Sequence, residues 1–351
     1  MSPSRKTVFD VLFGVERGGR AADLLRAASV NLDSRDAGLA SEIVFGSLRY
    51  RKQLDWLIGH YSGRARKLDP PVRVALRMGI YQLRYLERIP AHAAVTESVE
   101  LVKRAGLRSA AGFVNAVLRK VDRSPITWPD RATELSMPEW LLARWDANFP
   151  PARADKIARA FLEPPDASKL GERFMDVNSQ TIVPLLDLQP GMTLLDVCAA
   201  PGNKSLQAVE MGASVIACDL HRSRLKETPV ESRVVLDATR PLPFRKLFPR
   251  ILVDAPCSGT GTLGRNPEIK WRLKPEDIQD LHGRQVRILR NALALLAPGG
   301  ILVYSTCSLE PEENERVVRE VLPVEQQVHM RWLTPGLDPG DGFFSAMVPS
   351  R

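Results

Sequence analysis

Five short apolar runs constrain this chain more than any other feature: LLDVC (Leu194–Cys198), VIACD (Val215–Asp219), RVVLD (Arg233–Asp237), ILVD (Ile251–Asp254) and ILVYS (Ile301–Ser305). Each is too short for a stable helix, and helical stretches separate them. Alternation of this kind implies right-handed crossovers and a mostly parallel sheet, an α/β architecture. Two later runs, VHMRWL and FFSAMV, are separated by a turn-rich DPGDG and are expected to join the sheet as an antiparallel pair.

The first third of the chain reads differently. Val8, Val11, Leu12 and Val15 fall at helical spacing, as do Phe113, Val114, Val117, Leu118 and Val121. Charge divides along the same line. Residues 1–125 hold 22 Lys+Arg against 12 Asp+Glu, net +10, whereas residues 126–351 hold 27 against 29, net −2. An anionic partner is therefore expected on the helical third. Between the two parts, Pro125, Pro129, Pro138 and Pro150 punctuate short apolar pieces. We read three regions: helical over 1–125, connecting over 126–175 with one or two short helices, and the α/β domain over 176–351.

No stretch approaches the roughly 20 apolar residues of a membrane span, and MSPSRKTVFD has no secretory h-region. Four cysteines are too few for a disulfide framework, so a reducing cytoplasm is the expectation, with no membrane partner; a monomer is expected as well. Aromatic residues at 6% argue against a broad base-stacking platform.

In an open parallel sheet ligands bind outside the carboxyl ends of the strands, so the residues ending each run carry the functional information. The first run enters a tight turn of Cys198, Ala199, Ala200, Pro201, Gly202, Asn203 and Lys204, where a cofactor can approach backbone N–H groups. Asp219 follows about 20 residues later, where an acid commonly takes a ribose diol. Asp237 is placed to reach an adenine ring. Taken singly, each carboxylate is as readily a helix cap. Cys218 reads as a core residue, and so does the side chain of Cys198. Cys257 and Cys307 differ: each stands just past a strand end beside Ser or Thr, an arrangement that suits nucleophilic chemistry. With His282 the nearest histidine and no C-x-x-C pair, no metal is expected.

The motifs DVCAAPGNK, DAPCSGTG, NPEIKW (Asn266–Trp271), STCSLEPEENE and DGFFSA (Asp341–Ala346) resemble, in order and spacing, those of the Sun-type RNA cytosine-5 methyltransferases of the RsmB kind. LDSRDAGLASEIVFGSLRYRKQLDWLI and GFVNAVLRKVDR resemble the NusB-type helical RNA-binding domain fused to them. The resemblance implies a Rossmann-like methyltransferase domain preceded by an all-α NusB-like domain, acting on small-subunit ribosomal RNA with S-adenosylmethionine (SAM). It makes Cys307 the nucleophile that adds to carbon 6 of cytosine, activating carbon 5 toward the methyl group. It makes Cys257 the cysteine that assists release, and Asp254 an acid at the junction of base and cofactor. SAM contacts carry over to Cys198 through Lys204, Asp219, Asp237 and Asp254. For Lys204, tuning a thiol, meeting a phosphate and simple solvation all stay open.

Two departures stand out. Gly202-Asn203 replaces two adjacent glycines, and Asn is the residue other than Gly that best tolerates a left-handed backbone, so SAM binding is expected to survive. Residues 166–175, DASKLGERFM, stand where relatives carry a longer RNA-contacting insertion. That keeps transfer RNA open as the substrate. A non-catalytic RNA-binding or antitermination factor is the rival from another class, opposed by the intact cysteines. DNA methylation fits less well, because the second strand-end cysteine is present too.

In the helical third, Val72, Leu76, Gly79, Leu83 and Leu86 fall within about 80° of helical arc, and Arg73, Arg77, Arg84 and Arg88 within about 60° beside them. The stripe is expected to contact RNA phosphates, with a solvated face or a packing seam as the alternative.

Overall fold

Apolar spacing in the first third produces the helices it predicts. The computed structural model describes residues 2–63, 67–150, 152–164 and 166–350, which fall into two units, 1–164 with 263–272 and 165–262 with 273–351. In the first, Val8, Val11, Leu12 and Val15 of the helix Pro3–Glu16 enter one core with Val114, Val117 and Leu118 of Ala111–Leu118. The proline-punctuated stretch holds three short helices, Arg131–Glu134, Glu139–Asn148 and Arg153–Ala160, against the one or two expected. Proline hides them because it is tolerated at a helix start: Pro138 is the N-cap of the second. Asp130 caps the first by accepting from the Thr133 N–H.

The structure gives most of the arginine stripe partners within the unit. Its helix, Pro70–Tyr85, ends before Arg88, which is exposed beyond it. Arg77 is only 6% exposed; its guanidinium donates to both Asp55 carboxylate oxygens at 2.6 and 2.7 Å and to Glu16 Oε1 at 2.7 Å. Arg73 donates to the same Glu16 at 3.0 Å, and Arg84 to the carbonyls of Asp122 and Ser124. Three of the four guanidiniums are thus committed within the unit. Their partners lie up to 61 residues away in sequence, beyond the reach of a helical-wheel argument. Arg77→Met is expected to lower unfolding free energy by about 2 kcal/mol, below the full cost of orphaning a buried charge because Asp55 is partly solvated and Glu16 keeps Arg73. Urea denaturation checks this. Unchanged stability with weakened RNA binding would restore the stripe.

Residues 263–272, which include NPEIKW, belong to the helical unit. Lys270 Nζ and Trp271 Nε1 donate to the carbonyls of Arg49 and Leu48 at 2.9 and 2.7 Å, satisfying the C-terminal end of the helix Ser34–Arg49. Arg272 donates to Gly18 O just past the first helix. Burial, then the Arg49 charge, pushes Lys270 down to about 7.

In the second unit the sheet strands are β1 Thr193–Asp196, β2 Ser214–Asp219, β3 Ser232–Val235, β4 Phe248–Asp254, β5 Leu296–Thr306, β6 His329–Leu333 and β7 Phe343–Pro349. Their order is β3-β2-β1-β4-β5-β7-β6. The first five are mutually parallel, and β7 runs antiparallel to both β5 and β6. Strand order reverses between β1 and β4, which opens the ligand crevice there. DASKLGERFM forms a small antiparallel ribbon, Lys169–Leu170 with Arg173–Phe174. Among the described residues no helix is long and apolar enough to cross a membrane.

Candidate active site

The crevice begins at Asp196, the buried last residue of β1. Its Oδ2 accepts from Ser205 Oγ at 2.6 Å, its Oδ1 has no partner, and burial pushes it up to about 7. The sequence reading assigned it no role, although its position at a strand end was the available signal. In the following turn Gly202 has φ +107°, and a Cβ there would lie 2.5 Å from Thr228 Cγ2, so both backbone and space demand glycine. Asn203 is already the first residue of the helix Asn203–Glu210. The expectation that it must tolerate a left-handed backbone is therefore corrected: the replaced glycine costs no strain.

Asp219 pins this turn. Its Oδ2 accepts from Ala200 N–H at 3.2 Å and its Oδ1 from His221 N–H at 2.8 Å. Asp237 lies two residues past β3, where its Oδ1 accepts from the Thr239 hydroxyl at 2.7 Å and the Thr239 N–H at 3.0 Å; these bonds hold it below the usual carboxylate range. Burial holds the Cys198 thiol well above the ordinary range and Cys218 up to about 12, so both keep their protons.

Across the crevice, Asp254 ends β4. Lys204 Nζ donates to its Oδ2 and Ser305 Oγ to its Oδ1, both at 2.7 Å. With its side chain 11% exposed and lying over the Phe343 ring, Lys204 is no solvated lysine. Burial opposes its charge, but Asp254, then Cys307 and Asp196, outweigh it and raise the ammonium above its ordinary value.

Cys257 and Cys307, 50 residues apart in sequence, come together with their sulfurs 3.3 Å apart. Backbone bonds fix the loops that carry them. Gly261 N–H donates to Cys307 O at 2.9 Å and Gly342 N–H to Gly261 O at 2.7 Å, so DAPCSGTG, STCS and DGFF interlock. A Cβ on Gly261 would stand 2.4 Å from Gly342 O, leaving glycine as the residue that fits. The hydrogen bond to Cys307, then burial, holds the Cys257 thiol well above its ordinary range, so it keeps its proton and can donate S–H to Cys307. Among the described residues no group of three or more His, Cys, Asp or Glu side chains could hold a metal ion.

Family models for the NusB family and for 16S rRNA methyltransferase RsmB/F match residues 2–123 and 183–338. Ribosomal RNA small subunit methyltransferase B of Thermus thermophilus is 36% identical over 89% of this chain and 85% of its own. This chain belongs to the RsmB/F family. The Klebsiella pneumoniae enzyme of the same name is 31% identical over 96% of this chain and 95% of its own. The crystal structure of PH0851 superimposes with a TM-score of 0.80 over 100% of this chain and 99% of that one at 19% identity, a likeness of fold alone. In this RsmB/F member, then, the paired thiols and the Lys204–Asp254 pair stand at the strand ends of a methyltransferase sheet.

Proposed function

We propose that this chain methylates carbon 5 of a cytosine in small-subunit ribosomal RNA through a covalent adduct between Cys307 and carbon 6 of the base. The observation that carries the reading is the pair of thiols 3.3 Å apart at the ends of β4 and β5. SAM, when bound, supplies an electrophilic methyl group. The residues of the crevice fit it: a turn closed over Gly202, the unpartnered buried Asp196 Oδ1, and Asp219 and Asp237 at the neighbouring strand ends.

Cys307 adds to carbon 6 as a thiolate. That addition makes carbon 5 nucleophilic. Asp254, held by Lys204 and Ser305, faces the same crevice and is assigned to the amino edge or ring nitrogen of the cytosine. Once carbon 5 carries the methyl group, its proton leaves to water; the electrons of that C–H bond re-form the ring double bond and the carbon–sulfur electrons depart with Cys307. The Cys257 thiol then donates its S–H to the departing sulfur, easing release.

Incubation of the protein with labelled SAM and undermodified ribosomal and transfer RNA, followed by mapping of the labelled base, tests this. Label at carbon 5 of one ribosomal cytosine is expected. Label on transfer RNA alone would overturn the substrate, and label on neither would overturn the activity.

A further inference from the structure

The last paired residues of β4 and β5 are Asp254 and Ser305, after which Ala255 N–H donates to Ser305 O at 2.8 Å. The loops meet again through the backbone at Gly261 N–H and Cys307 O. Cys257 and its neighbour Ser258 fall between these two bonds, opposite Cys307 and Ser308. In that gap the loops meet through side chains: Ser258 Oγ and Ser308 Oγ stand 3.1 Å apart, and Leu309 N–H donates to Thr260 Oγ1 at 2.9 Å, so the sulfur separation depends on what orders the two serines.

Glu313 fills the gap. It is 0% exposed, and its Oε1 accepts from Ser258 N–H at 2.8 Å and from Gln285 Nε2 at 3.0 Å. Its Oε2 accepts from the hydroxyls of both Ser258 and Ser308, the residues that directly follow the two cysteines. Gln285 also donates to Pro256 O at 2.9 Å, and Tyr304 to Glu313 O at 2.6 Å, which anchors the acid from behind. A carboxylate is suited to this place: it accepts at two oxygens with about four lone-pair sites and needs no donor in return.

We propose that Glu313 is a positioning residue that sets the Cys257–Cys307 separation by holding Ser258 and Ser308 on one carboxylate. It touches neither sulfur. The inference rests on the two-cysteine reading for its catalytic consequence, whereas its geometric content is independent of any reaction. A wholly structural acid would alter stability without altering the relation between the thiols.

The test uses the full chain and reads the thiol spacing directly, by the rate at which phenylarsine oxide bridges the pair in the absence of RNA and SAM, followed by mass spectrometry. Glu313→Ala is expected to slow bridging and lower kcat each by about tenfold or more, with KM for SAM changed less than about twofold. Glu313→Gln keeps an acceptor for Ser258 N–H, and the serine hydroxyls can rotate to accept from its amide, so both readouts are expected within about threefold of the unaltered protein. Should Glu313→Ala fail to fold, Ser308→Ala removes one of the supports and is expected to slow bridging by a smaller factor. Bridging unchanged in a folded Glu313→Ala or in Ser308→Ala, or Glu313→Gln as slow as Glu313→Ala, would overturn the proposal. Absence of cytosine methylation by the unaltered protein would instead overturn the functional reading and leave the bridging result standing.

Discussion

Cys307→Ser is expected to abolish turnover by roughly a thousandfold or more, and Cys257→Ser to accumulate a covalent RNA adduct. The asymmetry follows from what each sulfur is asked to do. A serine hydroxyl at position 307 holds its proton through neutral pH, and Lys204 cannot act as a base because Asp254 keeps it an ammonium. Without addition to carbon 6, carbon 5 stays a poor nucleophile. At position 257 the requirement falls later. The Cys257 thiol keeps its proton and lies 3.3 Å from Cys307, so Cys257→Ser leaves addition intact; its hydroxyl still donates a hydrogen bond but is a far weaker acid than a thiol, so proton transfer to the leaving sulfur is what is lost. Single-turnover assays with labelled SAM, resolved on denaturing gels, separate methylated free RNA from protein-linked RNA. An adduct formed by Cys307→Ser in place of Cys257→Ser would exchange the two assignments.

What could be read from the sequence depended on the range of the interaction. Four of the runs became β1, β2, β4 and β5 because a buried strand is a local pattern, β3 was legible as a β-branched run although it is an exposed edge strand, and the turn after β1 was legible from its own local sequence. Edges were less so: Asp237 lies two residues past β3, one beyond the last bond to the neighbouring strand, from Leu236 N–H to Asp219 O. Both cysteines were visible as strand-end residues, yet their approach to 3.3 Å depends on two loops meeting across the sheet. The partners of the arginine stripe were hidden by distance of another kind. Helical spacing placed Arg73 and Arg77 on one face correctly, but Glu16 and Asp55, which neutralise that face, arrive on other helices. NPEIKW was legible only as a resemblance, because its work of satisfying carbonyls at the end of the helix Ser34–Arg49 is a tertiary event.

Lys204→Met is expected to lower the single-turnover rate by roughly a hundredfold while the fold persists. Lys204 does two things from one position: its Nζ donates to Asp254 Oδ2 at 2.7 Å, and it places a positive charge in the crevice that Cys307 borders. Methionine keeps an unbranched apolar stem and removes both, along with the ammonium's contact to the Phe343 ring. Arginine is a poor substitute, since a planar fork cannot occupy the site of a compact ammonium. Asp254→Asn should be impaired as well, because an amide presented to Lys204 loses the ion pair even if its oxygen still accepts from Ser305. The two substitutions share one interaction, so the double variant is expected to fall well short of the product of the single losses. The pH dependence has a definite sign. A lysine whose folded pKa is raised contributes fully below its ordinary value of 10.5 and loses that contribution as pH rises through the folded value. The pair is therefore intact throughout the neutral range, and the rate should show no loss from Lys204 until strongly alkaline pH. A Lys204→Met rate within about threefold of the unaltered protein would remove the lysine from the chemistry and return it to a packing role against Phe343.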